Sequence, residues 1–152
     1  MSETPKVGVG IIIENSAGKI LVGKRKGSHA QFYSIPGGHL EIGETFEDAA
    51  IREAKEELDI EIKNPSVIAV TNNLETYRNE KKHYISIILL VTEFSGDPKI
   101  MEPESCEELI WVDPKNLPMP HFDASKRAVN CYLEGKVYKK YEDNMTFISI
   151  SL

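Results

Sequence analysis

The residues of this chain best placed to do chemistry are Arg52 and Glu53, then Glu56 and Glu57, all downstream of Gly37 and Gly38. On a helix, residues three and four apart share a face, so Glu53, Glu56 and Glu57 are expected to project together. Ionised carboxylates on one turn repel, each like-charged i,i+4 pair costing about 0.2–0.5 kcal/mol. A divalent cation removes that penalty and turns the cluster into an oxygen-donor site. Hard oxygen donors suit Mg²⁺ or Mn²⁺, which in turn bind phosphates. A solvated helix face would carry the same charge, so the wider spacing decides. From Gly38, five residues lead to Glu44, seven more to Arg52-Glu53, and two more to Glu56-Glu57. Six fixed residues at those offsets match by chance roughly once in ten million starting positions, at about 7% usage each.

Local elements must hold these groups. Thr45, with Asp48 three residues on, is a capping-box pattern that opens a helix, the acid being Asp rather than Glu or Gln. Phe46, Ala50, Ala54 and Leu58 recur every four residues and give that helix a buried stripe opposite the carboxylates. Before it, "VGVGIII" from Val7 reads as a buried strand, "NSAG" as a turn and "KILVGKR" as a second strand, together a hairpin. "KGSHAQFYSIPGG" is a loop with an extended piece near Phe32 to Ile35. After the helix, "EIKN", "SVIAVTNN", "HYISIILLVTEF" and "EELIWVD" are strand-like. "DASKRAVNCYLEGK" is a second helix, capped by Asp123 and ended near Gly135. The tail "TFISISL" alternates and could be an edge strand, a dimer arm or a frayed end. Strands, helix, strands, helix make an α+β chain: an α/β/α sandwich with a central mixed β-sheet.

Composition sets the frame. The 152 residues fit one domain, with a core over about 7–135 and a tail over 136–152. At 41% hydrophobic and 28% charged residues, the chain can build a core without staples. A net charge of −6 argues against a nucleic-acid polymer as partner, and a bound nucleotide would need local cations or a metal ion. Cys106 and Cys131 have no metal-ligand spacing and are expected as reduced thiols. The N-terminus lacks signal-peptide order, and no apolar run approaches the ~18–20 residues that span a bilayer. The expectation is a cytoplasmic protein without a membrane partner.

The segment resembles the Nudix box, Gly-x5-Glu-x7-Arg-Glu-U-x-Glu-Glu-x-Gly-U, with U a bulky aliphatic. All glycine and charged positions through Glu57 match, and Ile60 fills the last aliphatic place. Ala54 is smaller than usual, and Asp59 replaces the final glycine, a helix end that favours φ > 0. "GKRKGS", "PGGHLE", "TNN", "HYISI" and "EPESCEELIWVD" extend the likeness to small MutT-like nucleoside triphosphate diphosphatases.

The resemblance implies a Nudix fold and Mg²⁺-dependent hydrolysis of a small-molecule, nucleoside diphosphate-linked substrate. It assigns Glu53, Glu56 and Glu57 to the metal, with a backbone carbonyl at Gly37 or Gly38. Glu53 is its first choice of general base. Glu44 supports the site, and Arg52 holds a neighbouring carboxylate in position. A later-loop acid serves as base in some members, which brings in Glu102, Glu104, Glu107 and Glu108. Arg25, Gly37 and His39 are the expected substrate contacts. Phe32, Tyr33, Tyr84 or Trp111 could stack a base, and Leu117, Pro118 and Pro120 could wall its pocket. A nucleoside triphosphate, ordinary or oxidised, leads as substrate. ADP-ribose, nucleotide sugars, dinucleoside polyphosphates, isoprenyl diphosphates and a catalytically silent ligand sensor stay open, as does a homodimer.

Overall fold

The computed structural model describes residues 3–141; the "TFISISL" tail lies outside them. In chain order the elements are β1 (Lys6–Ile13), β2 (Ile20–Arg25), β3 (Tyr33–Ser34), β4 (Gly37–His39) and α1 (Phe46–Leu58). Then come β5 (Glu61–Lys63), β6 (Ser66–Asn73), α2 (Leu74–Glu80), β7 (Tyr84–Val91), β8 (Glu93–Ser95), β9 (Cys106–Val112) and α3 (Asp123–Glu134).

β1 is the centre of a mixed sheet ordered β4-β1-β7-β6, parallel to β7 and antiparallel to β4. A second, antiparallel sheet is ordered β3-β2-β9, and β5 pairs with β8. The expected hairpin of β1 and β2 is therefore corrected. The turn is present, with Asn15 Oδ1 accepting from the Ala17 and Lys19 amides, but the strands leave it into different sheets, joined by one Glu14–Ile20 bridge. β1 is buried on both faces, as its unbroken β-branched run requires. Ile11 and Ile13 pack with Ala50, Ala54 and Leu58 of α1. Ile12 packs with Ile88 and with Ala128 and Val129 of α3. Each fully buried aliphatic side chain contributes about 1.5–3 kcal/mol, and these two cores fasten one helix to each side of the sheets.

α1 begins as its sequence requires, with Thr45 Oγ1 accepting from the Asp48 amide at 3.0 Å. It ends on Asp59 in the left-handed region, φ 55°, where Asp59 also pairs with Lys55 Nζ at 3.1 Å. Its stripe needs one correction. Phe46 is 37% exposed, and Ala49 is buried in its place. At α3 the cap is Phe122, one residue before the expected Asp123; Asp123 is the first helical residue and accepts from Arg127 Nε at 2.7 Å. Helix α2 was absent from the strand–loop expectation for this stretch, because seven residues are too few to display a helical period. Among the described residues no helix is long and apolar enough to cross a membrane.

Candidate active site

α1 runs beside β4, and their contact makes the acidic end of the site. Gly38 faces Glu53 so closely that a Cβ there would lie 2.3 Å from the Glu53 carboxylate. Only glycine permits that approach. The Gly37 amide donates to Glu57 Oε1 at 3.3 Å. The glycine turn and the glutamates downstream of it are thus one contact in space.

Arg52 organises the outer side. Its five N–H donors make five bonds: Nε and Nη2 to the two oxygens of Glu44 at 2.7 and 2.9 Å, Nη2 to the His39 carbonyl at 2.9 Å, and Nη1 to Glu53 and Glu56 at 2.8 and 3.1 Å. That bidentate clamp holds the Glu44 carboxyl down at about 2, the Glu41 amide adding to the effect, and raises the Arg52 pKa. Arg52 and Glu44 are positioning residues: they fix β4, through His39, to the helix that carries Glu53.

The three glutamates do not share one environment, as the helical spacing alone had suggested. Glu53 is buried, Glu57 half-buried and Glu56 exposed on the Arg52 side. Burial pushes the Glu53 carboxyl up, against the pull of Arg52. Burial, with the charges of Glu53 and Glu102, pushes Glu57 up to about 8, partly opposed by the Gly37 amide and Arg25. Among the described residues no three Asp, Glu, His or Cys side chains form a ready metal cage. Even so, the donors are hard oxygens, the Gly38 backbone meets Glu53 without a side chain between, and the buried carboxylates are short of positive charge. These features fit a hard divalent cation, with Glu53, Glu57, Glu56 and the Gly38 carbonyl as its holders.

The cleft beside this corner has a volume of about 410 Å³. Arg25, Gly37, Gly38, His39 and Glu57 all line it, so the expected substrate contacts meet in one place. Arg25 Nε is buried without a partner among the described residues. Of the four later-loop acids, Glu102 lines the cleft, whereas Glu108 accepts from the Tyr33 hydroxyl at 2.8 Å. The aromatic expectations divide. Tyr84 lines the cleft and stacks on His39 at 5.5 Å, but Trp111 stacks on Phe94 against the α1 core. Leu117 packs into the α3 core.

Sequence reasoning missed the far wall, built from Asn73, Thr76, Ser86, His29, Glu80 and Phe122. His29 bonds Glu80 and tilts against Phe122, tying the loop after β2 to α2 and α3. Ser125 accepts from the Ile35 amide at 2.9 Å and bonds His121 Nε2 at 2.8 Å. Burial holds His121 down to about 4, so it is neutral there. This pair anchors α3 to the strand leading into the glycine turn. No spacing rule connects residues 35, 121 and 125, so only the fold could reveal it.

Comparison with known proteins agrees with this geometry. The sequence model of the NUDIX domain matches residues 4–132. An ADP-ribose pyrophosphatase of Methanocaldococcus jannaschii is 36% identical over 133 residues, 87% of this chain and 75% of that protein. An RNA pyrophosphohydrolase of Pseudoalteromonas atlantica is 34% identical over 77 residues, and the match spans only 43% of its length. The crystal structure of a MutT NUDIX hydrolase from Burkholderia pseudomallei superposes with a TM-score of 0.76 at 32% identity, over 84% of this chain and 98% of that one. With its box folded into a glycine–glutamate corner beside this cleft, the chain belongs to the Nudix family and is a MutT-like pyrophosphohydrolase.

Proposed function

We propose that the protein hydrolyses a nucleoside triphosphate to the monophosphate and pyrophosphate. The observation that carries this reading is the line of the cleft across the mixed sheet. Gly38 on β4, Gly8 on β1, Ser86 on β7 and Asn73 at the end of β6 follow the strand order, and all four line the cleft. Three strand spacings of about 4.8 Å make roughly 14 Å from the carboxylate corner to Asn73. A nucleoside lying along that line puts its phosphates at Gly38 and Glu57, with the outer phosphates toward Arg25.

A bound Mg²⁺ supplies charge neutralisation at the phosphate oxygens and a more acidic water. The chain does the rest. Glu53, held by Arg52 against Gly38, accepts the proton of the attacking water. Arg25, with its Nε unpartnered among the described residues, orients the phosphates. Arg52 keeps Glu53 and Glu56 from swinging away as charge moves. Glu102 is the second choice for the base, because it lines the cleft and acts electrostatically on both Glu53 and Glu57.

The test is kcat/KM with Mg²⁺ across nucleoside triphosphates, oxidised dNTPs, ADP-ribose and dinucleoside polyphosphates. A triphosphate should lead, with pyrophosphate as coproduct. ADP-ribose leading by about 10-fold or more, a preference of about 1.4 kcal/mol, would overturn the triphosphate reading and leave the diphosphate chemistry standing.

A further inference from the structure

Beyond the far wall of the cleft lies a second hollow of about 260 Å³, between α2, α3 and the loop that joins β2 to β3. His29, Thr76, Glu80 and Phe122 line both spaces, so these four residues are the partition between them. One imidazole closes it. His29 Nε2 donates to the Glu80 carboxylate at the end of α2, and Ser28 Oγ engages its Nδ1 at 3.3 Å. The His29 ring centre lies 4.7 Å from that of Phe122, the N-cap of α3. Rings that close are in contact and leave no passage between them.

The loop depends on this clasp. The backbone bonds of residues 26–32 run within the loop, from Ala30 to Gly27 and Phe32 to His29, or to Arg25 and Ser105. Among the described residues none of them reaches α2 or α3. His29 has φ 58°, a left-handed conformation uncommon outside glycine, which persists where the surroundings hold it. The Glu80 and Phe122 contacts supply that hold. Both Glu80 and His29 keep more than a quarter of their side-chain surface in solvent, so the clasp faces the open cleft and is not sealed in the core.

The partition stands where a substrate would have to lengthen. In the triphosphate reading the nucleoside runs toward Asn73, the N-cap of α2. Thr76 and Glu80 follow on that helix, and their four-residue spacing puts them on one face. A group extended from the nucleoside into the second hollow must therefore cross the clasp. The hollow itself suits a nucleotide: Phe32, 40% exposed, offers a ring for stacking, Asn79 an amide and Lys126 an exposed cation.

Building on the triphosphate reading, we propose that His29, clasped to Glu80 and Phe122, sets the length of the substrate. Closed, the clasp confines the cleft to one nucleotide and turns away a 5′-triphosphorylated chain extended through its 3′ oxygen. Removing the imidazole joins the two spaces, and the second nucleotide stacks on Phe32.

The test compares ATP with the 5′-triphosphorylated dinucleotide pppApA, in Mg²⁺, on the intact protein. The wild type should favour ATP in kcat/KM by about 100-fold. His29→Ala should narrow that ratio to about 10-fold or less, through a lower KM for the dinucleotide. Glu80→Ala should do the same, and it decides the matter if His29→Ala does not unfold as a single cooperative transition. Glu80→Gln keeps an oxygen that accepts from His29, so it should keep the wild-type ratio. Comparable turnover of both substrates by the wild type, or a ratio unmoved in the folded alanine variants, overturns the assignment. A ratio that collapses in Glu80→Gln also overturns it, because the carboxylate charge and not the closed wall would then repel the chain. Calorimetric binding of AMP against pApA repeats the comparison without turnover. If ADP-ribose leads in turnover while AMP outbinds pApA in the wild type but not in His29→Ala, only the triphosphate reading falls. If triphosphates lead and His29→Ala leaves both comparisons unchanged, only the length assignment falls.

Discussion

The two ends of the cleft are polar in opposite ways. At one end Glu53, Glu56, Glu57 and Arg52 come from a single stretch of one helix; Arg52 pairs with Glu53 and Glu56, as it does with Glu44, while Glu57 accepts from the Gly37 amide. At the other, Asn73, Ser86 and Thr76 are neutral, come from three different elements and make few bonds. The charged end is suited to phosphate and a cation, which vary little between substrates. The neutral end is suited to the part that does vary. This difference separates the chemistry of the site from its choice of substrate, and mutation should separate them too.

The largest effect is expected at the charged end. Glu53→Gln keeps the shape and removes the proton acceptor, so kcat should fall about 10²–10⁴-fold with a smaller change in KM. A loss below 10-fold in steady-state kinetics would move the base to Glu102. Paired glycine substitutions probe the comparison next. Gly38→Ala places a methyl 2.3 Å from the Glu53 carboxylate, and the displaced carboxylate should cost about 100-fold in kcat. Gly8→Ala meets the Gly38 carbonyl at 3.3 Å and Ser86 at 3.9 Å, so it should act mainly on KM, by several-fold, as a narrowing of the base slot would. Equal losses in kcat for both would mean the ends are not separable.

The smallest effect is one of stability. In metal-free protein the folded state raises the Glu57 carboxyl from its usual 4.5 to about 8. A raised carboxyl favours the fold while protonated, so this contribution is full below about pH 4.5 and is lost as pH rises through about 8. Calorimetry in chelator should therefore find Tm falling by roughly 3 °C between pH 7 and 8.5, above the range in which His121, held down to about 4, adds stability as pH rises. Glu57→Gln should flatten the slope. A Tm that climbs over that range would mean the corner is not short of positive charge.

How much could be read in advance follows the same division. Thr45, the downstream glutamates and Asp59 belong to one local helix, whose caps and faces are set by neighbours within four residues. Its start follows from spacing, while its end at Asp59 and the partnership with the glycine turn were implied by the family resemblance. The hairpin of β1 and β2 failed because the turn residues bend the chain without stating which sheet each strand joins. Phe46 failed because a four-residue period drifts around a 3.6-residue helix, so the first member of the stripe rotates out of the core. Glu53, Glu56 and Glu57 were grouped by the same rule, yet they differ in exposure because β4 and Arg52 take different sides of the helix.

By itself the sequence determined the fold family, the helix that carries the carboxylates and the class of reaction, since these rest on short-range spacing and on residue types with few other uses. Only the tertiary structure decided which late acid faces the cleft, that Trp111 belongs to the core and that Asn73 stands beside Ser86. Those facts depend on strand order and on the direction of each side chain. Strand order is settled by long-range pairing, in which residues 8, 38, 73 and 86 become neighbours across one sheet.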